Sequence, residues 1–431
     1  MARETKSVVF VPIGQHEIPQ GPVPLQPVSS RAEKVEGINR GKVLLTNTNV
    51  ARSRRSEAPV QTENVLVNTL RAGAALMVVI SHARILLLDD FDNIRHSVPQ
   101  NAIYGLTSLG HEAVVLFFVL SGYWVGGSAM RKIKRSRFLW VSYLVDRLVR
   151  LWVVLIPALI LTALVGVVGH ALFADFAVQA GGPYQRDSTV LGFIGNALFL
   201  GAILVPTFGT NTPLWSLGYE FWMYILGPLV LLIFTASKYR AMIYGLCTAA
   251  AAFLVGVPVF EYLPIWMAGL LIAHLQPRLV TVALKLTPLA LTTIRLGALF
   301  VSLAVAIAGR TVLHLPTWLS DFVFAVPVIA LLASIVPDVG VHNKRTSPLR
   351  QFSLLAHSSF SLYAIHMPIL LLFVSALGIT EGRRWPSDAP HWCYLLLVVG
   401  TVVVLGWLFA QLTEKHTNRV RSGAKNAFRL K

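Results

Sequence analysis

Charge is scarce in this chain. Only 13% of its 431 residues are charged, and acids are the smaller share, 20 Asp and Glu against 37 Lys and Arg. A soluble globular domain carries about a quarter charged residues, so an ordinary water-facing surface is excluded. Cysteine is scarcer still: Cys247 and Cys393 are the only two, each in or beside an apolar run. Two isolated thiols exclude a disulfide framework and a thiolate metal site, and no metal is expected. Hydrophobic residues make up 55% of the chain, with a mean hydropathy of +0.64. That is far more apolar side chain than one soluble core uses, and it predicts an all-α, polytopic transmembrane helical bundle whose first partner is the lipid bilayer.

Residues 1–62 are rich in Pro, Gly and charge without periodicity, as in "VPIGQHEIPQGPVPLQPVSSR", and are expected to form a disordered cytoplasmic tail. They lack the short apolar core and small-residue site of a cleaved signal peptide, so the first membrane helix is expected to direct insertion itself. Eleven apolar runs follow within a transmembrane domain at 63–414, and a basic cytoplasmic tail at 415–431 closes the chain.

Basic residues concentrate in cytoplasmic loops, which tests how many of the eleven runs cross. If all cross, "SKYR" at 237–240, "NKRTSPLR" at 343–350 and the basic C-terminal tail fall outside. If Leu191–Pro206 dips in without crossing, ten spans remain with both termini cytoplasmic, and 30 of the 37 Lys and Arg lie inside. The ten-span arrangement is the expectation. It accounts for the net charge of +17 without nucleic acid.

Within the first span, "NTLRAGAALMVVISHARILLL", stand Arg71 and His82. An arginine inside hydrocarbon costs about 2.5 to 3.5 kcal/mol by insertion measurements. Eleven residues at about 100° each bring the two onto one helix face, about 16 Å apart along the axis. A cation at the inner mouth and an imidazole deeper in describe two ends of a path; the plainer alternative is a snorkelling arginine and a histidine bonded to a neighbouring helix. Arg147 and Arg150, at i and i+3 where the third span leaves the cytoplasm, suit an anion clamp or an ordinary topology anchor. Glu220 follows Ser216 by one turn in "PLWSLGYEFWMYILGPLV" and, counted from Leu214, is expected at the depth of His82, able to orient it as a base. The plainer alternative pairs Glu220 with a cation such as Arg84. Ser359, Tyr363 and His366 form a polar stripe at the cytoplasmic start of a later span, and Gly122 with Gly126 reads as a close-packing pair.

Taken in order, Arg71 with ten residues before His82, "LFFVLSGY" at 116–123, Arg147-Leu-Val-Arg150, Trp215-Ser-Leu-Gly-Tyr-Glu220 and "SFSLYAIHMP" at 359–368 resemble the integral-membrane acyltransferase-three family over about 350 residues. The resemblance implies transfer of an acyl group, usually acetyl, from cytoplasmic acyl-CoA to a hydroxyl of an extracytoplasmic or lipid-linked glycan at the inner membrane of the cell, with envelope-glycan assembly proteins as partners. It makes His82 the essential histidine, Arg71 its partner on the donor path, and Arg147 with Arg150 the family's arginine pair. Glu220 is expected to serve catalysis with His82, while Tyr363 and His366 are expected to line the donor end. The competing class is a secondary transporter, which also buries ionisable residues near the midplane; a non-catalytic scaffold is the third reading.

Overall fold

The computed structural model describes residues 64–173, 176, 186–311, 315–337, 347–380 and 382–429, and the N-terminal tail at 1–62 lies outside them. In chain order the helices are α1 Val65–Leu87, α2 Val98–Thr107, α3 Gly110–Ser121, α4 Gly127–Lys134, α5 Trp140–Leu172 and α6 Val190–Ala197. Then come α7 Trp215–Ile233, α8 Lys238–Ala283, α9 Pro288–Thr311, α10 Thr317–Ile335, α11 Pro348–Ser353, α12 Ser359–Ala376, α13 Ala389–Leu412 and α14 Thr417–Ala427. A π-helical turn at Gly122–Gly126 joins α3 to α4. Two short strands, β1 Arg186–Asp187 and β2 Thr207–Phe208, pair in parallel. Nine helical stretches among the described residues are long and apolar enough to cross a bilayer.

One of the nine is two passes. A straight helix of 46 residues would measure about 69 Å, twice the hydrocarbon thickness of about 30 Å. α8 is instead broken at Gly256, whose φ of 74° and ψ of 176° a residue with a Cβ rarely adopts. The direction of each half follows from its neighbours. Tyr262 sits 5.1 Å from Phe118, Trp266 donates Nε1–H to Ser121 Oγ at 3.2 Å, and His274 lies 3.1 Å from Lys134. The second half of α8 therefore runs parallel to α3–α4. α7 runs parallel to that half as well: Trp215 and Tyr219 flank Tyr262, and Gly227 packs on Trp266. Two successive parallel passes need a return crossing between them, which Lys238–Val255 supplies, so the described residues supply ten candidate passes. Labelling of a Lys238→Cys variant is expected only from the face that carries the two ends of the bundle; reaction from the opposite side would remove the return crossing.

Those ends lie together. Asn64 caps α1 and donates Nδ2–H to the Ile335 carbonyl at 2.9 Å, while Lys425 on α14 pairs with Asp146 near the start of α5 at 2.8 Å. At the opposite end of α1, Leu88 bridges to Trp385, and Arg384 pairs with Asp90 at 2.6 Å.

α6 spans only eight residues, about 12 Å, and cannot cross. The chain after it folds back along a turn in which Phe199 and Ala202 adopt positive φ. This conformation is costly for residues with side chains and persists where surroundings enforce it. The Phe199 ring stacks on Phe221 at 4.2 Å, and its carbonyl accepts Trp222 Nε1–H at 3.1 Å. Asn196 holds the loop with bonds to Gly192, Pro206 and Phe208, and the fully buried Asn211 donates to Thr162 Oγ1 at 3.1 Å and the Ala364 carbonyl at 2.8 Å. The start of α7 is thereby fixed beside Ala364 inside the bundle. Close packing seals the rest: a Cβ on Gly122 would collide with the Trp266 carbonyl, and one on Gly269 with the Val119 carbonyl.

Candidate active site

His82 and His366 meet in the bundle. His366 is fully buried, its Nδ1 lies 2.6 Å from the Tyr363 carbonyl, and its Nε2 lies 3.1 Å from His82 Nδ1. A carbonyl only accepts, so His366 Nδ1 carries the proton and, in the neutral ring, Nε2 is an acceptor. His82 Nδ1 then donates to it. The unprotonated nitrogen of His82 is Nε2, the atom able to take a proton or attack a carbonyl carbon.

The two helices carry matching stripes. Arg71 donates to the Ala356 carbonyl, which also accepts Ser359 Oγ–H at 2.8 Å, while eleven residues along α1 His82 meets His366. α1 and α12 thus run side by side in the same direction, with polar groups facing at both levels. Between them lies Tyr363, whose hydroxyl donates to the Pro213 carbonyl at 2.6 Å and accepts from Ser216 Oγ at 2.6 Å.

The expected depth of Glu220 is corrected here. Glu220 is not level with His82, because Leu214 is not at the outer surface: the folded-back chain before α7 places Ser216 beside Tyr363, about 4.5 Å inward of His366, and Glu220 is one further turn inward. Its carboxylate accepts from Tyr224, which stands at the end of a donor chain running from Trp266 through Ser121. The histidine's partner is His366. Tyr363 and His366, expected to line the donor end, stand just inward of His82 and level with it respectively.

The basic end is built from three helices. Arg71 stacks on Trp124, displayed by the π-helical turn, at 5.4 Å. Arg147 lies over the Tyr143 ring at 5.6 Å, and its buried Nε has no hydrogen-bond partner among the described residues. Glu414, just past α13, accepts Ser361 Oγ–H at 3.1 Å and lies in the fields of both Arg150 and Arg71. α14 brings Arg421 into the fields of Arg147 and Arg150, while Asp146 is neutralised by Lys425 at 2.8 Å, Arg421 at 3.7 Å and Lys132 at 3.8 Å. Arg71 and the arginine pair therefore share one cationic region. Glu414, Arg421 and Trp124 were not singled out from the sequence; an acid at the end of the last span, opposite two known arginines, was the available signal for Glu414.

The family model described as an acyltransferase domain matches residues 64–411, most of the chain. The chain belongs to the acyltransferase-three family. By that membership it is a multi-pass membrane acyltransferase, and the transporter and scaffold readings are set aside. None of the curated proteins or solved structures compared with it matches the chain. What the family leaves open, donor and acceptor, turns on the two ends of the stripe: a cationic region at one and a pair of histidines, about 16 Å along α1, at the other.

Proposed function

We propose that this acyltransferase moves an acyl group, acetyl by the habit of its family, from acyl-CoA at the basic face of the bundle to a hydroxyl of an envelope or lipid-linked glycan at the opposite face. The observation that supports this most is the pairing of His82 with His366 at the far end of a polar stripe that begins among Arg71, Arg147 and Arg150. The basic face is then the cytoplasmic one, following the charge distribution, and the membrane is the inner membrane. Envelope-glycan assembly proteins are the partners that fit such an acceptor.

The donor's phosphates suit arginines that present forked donors. Arg147 Nε, buried and without a partner among the described residues, is the group an added phosphate oxygen would satisfy. An extended thioester arm can follow the stripe past Tyr363 to His82. There His82 Nε2 either attacks the thioester carbon, displacing the CoA thiolate, or removes the acceptor's proton as the hydroxyl attacks. His366 fixes the tautomer that makes either step available.

Arg147→Ala and Arg150→Ala are each expected to weaken acyl-CoA binding by about 1.5–3 kcal/mol, the value of a charge-assisted contact. Acyl-CoA affinity measured in membranes of matched protein content checks this. Unchanged affinity would leave the two arginines as topology anchors. For the acceptor, envelope-glycan ester content is expected to fall in cells lacking the protein and to return with the wild-type chain but not with His82→Ala.

A further inference from the structure

Apart from the His82–His366 pair, another histidine in the outer half of the bundle faces a carboxylate. His111, the second residue of α3, places Nε2 2.9 Å from both carboxylate oxygens of Asp321 on α10, and Tyr262 on α8 donates its hydroxyl to Asp321 Oδ2 at 2.8 Å. Aspartate within a membrane span is costly and is retained where it has work to do. Asp321 is 3% exposed and thus held out of lipid and water alike, whereas the His111 side chain is 27% exposed. A carboxylate accepts, so Nε2 of His111 carries the proton and, in the neutral ring, Nδ1 holds a lone pair. Nδ1 has no hydrogen-bond partner among the described residues.

The position of this group relates it to the stripe. Gly110 packs so tightly on Ser81 that a Cβ there would approach the serine side chain to 2.7 Å. Ser81 and Gly110 are the chain neighbours of His82 and His111, so the two histidines stand at one depth on adjoining helices. α7 bridges them. Ser216 is bonded to Tyr363, below His366, while the adjacent Trp215 lies nearly parallel to the His111 ring, 20° apart at 6.2 Å. A carboxylate-held imidazole beside an indole face suits a polyhydroxylated ring, which offers both a C–H face and hydroxyl protons.

We propose that His111, oriented by Asp321 and Tyr262, is the base that takes the proton from the acceptor's hydroxyl, leaving His82 to deal with the acyl carbon. This rests on the reading above that an acyl group reaches His82. The acceptor oxygen forms its bond to the acyl carbon while its proton passes to His111 Nδ1. The bond from that carbon to His82 Nε2, formed when the CoA thiolate left, breaks with the electron pair returning to the nitrogen. The imidazolium is held against the Asp321 carboxylate and returns its proton to solvent when the ester product leaves. Asp321 and Tyr262 are positioning residues in this scheme.

Two nucleophiles separate this role from a structural one. A saccharide hydroxyl must lose a proton as it attacks, whereas hydroxylamine attacks a thioester or acyl-imidazole as a neutral amine. With the full-length chain in vesicles, radiolabelled acetyl-CoA and either envelope glycan or hydroxylamine as acceptor, His111→Ala and His111→Gln are expected to lower transfer to glycan by about 10²–10⁴-fold, the usual range for a general base. Acetylhydroxamate formation, counted above the rate with His82→Ala, is expected to stay at the wild-type level. Asp321→Asn and Tyr262→Phe should show the same split to lesser degrees. Glycan transfer that survives both His111 substitutions, or equal loss of both products, would overturn the proposal, the second result meaning that His111 is a helix tie. Wild-type protein that releases no CoA with either nucleophile would overturn the acyl-transfer reading itself and this proposal with it.

Discussion

His82→Ala is expected to abolish acyl transfer while acyl-CoA affinity stays at the wild-type level. The two effects separate if the donor's charge is held where we propose, at the other end of the stripe, where Arg71, Arg150 and Glu414 interact and Arg147 and Arg421 adjoin them. Removing the imidazole takes away the only lone pair that the His366 contact prepares. A lost general base alone costs about 10²–10⁴-fold, and loss of an acyl-carrying nitrogen removes the route altogether. Binding of CoA and transfer of label, measured on one membrane preparation, check both halves. Weakened CoA binding in His82→Ala would mean that the histidine supports the fold or the donor site rather than the chemistry.

The second large effect belongs to His366. Substitution by alanine removes the Nε2 acceptor facing His82 Nδ1 and leaves the Val78 carbonyl as the ring's remaining partner, so the ring's orientation loosens; misplacement by about 1 Å can cost 10²-fold in rate, and a loss of up to that size is expected here. Glutamine offers a carbonyl oxygen that can accept from His82, and His366→Gln is expected to keep measurably more activity than His366→Ala. The comparison is made on transfer rate at saturating acyl-CoA, with donor affinity unchanged in both. Equal loss in the two variants, with normal insertion, would indicate that burial of the ring rather than its hydrogen bond is what matters.

Much of this was legible in the sequence, for physical reasons that can be named. Arg71 and His82 share one helix, so 3.6-residue periodicity alone places them on a common face, and their separate partners at Ala356 and His366 keep that face intact. The ten passes were legible because basic residues mark one side of the membrane. The hinge that makes two passes of α8 was not: Gly256 sits in an apolar run like many other glycines, and only its backbone conformation distinguishes it. The depth of Glu220 was not legible, because the edge of the apolar run at Leu214 does not lie at the membrane surface. The folded-back loop carries its own polar contacts, through Asn196 and Asn211, into the interior, and hydropathy has no term for that. Partners contributed by different helices were the least legible. Position in a stripe does not reveal that His366 faces His82, 284 positions away, and the contact between His111 and Asp321 joins residues 210 positions apart.

On the proposed reading, one chain draws an acyl group from CoA at its basic face and delivers it to a hydroxyl at the other. The most direct measurement places the purified full-length protein in sealed vesicles with its basic face outward, radiolabelled acetyl-CoA outside and envelope glycan trapped within. Label is expected to appear as alkali-labile ester on the enclosed glycan with the wild-type chain, and to be absent with His82→Ala. Free CoA should accumulate outside in step with the ester. Intact acetyl-CoA and unlabelled glycan with the active wild-type preparation, or equal labelling by His82→Ala, would contradict the account.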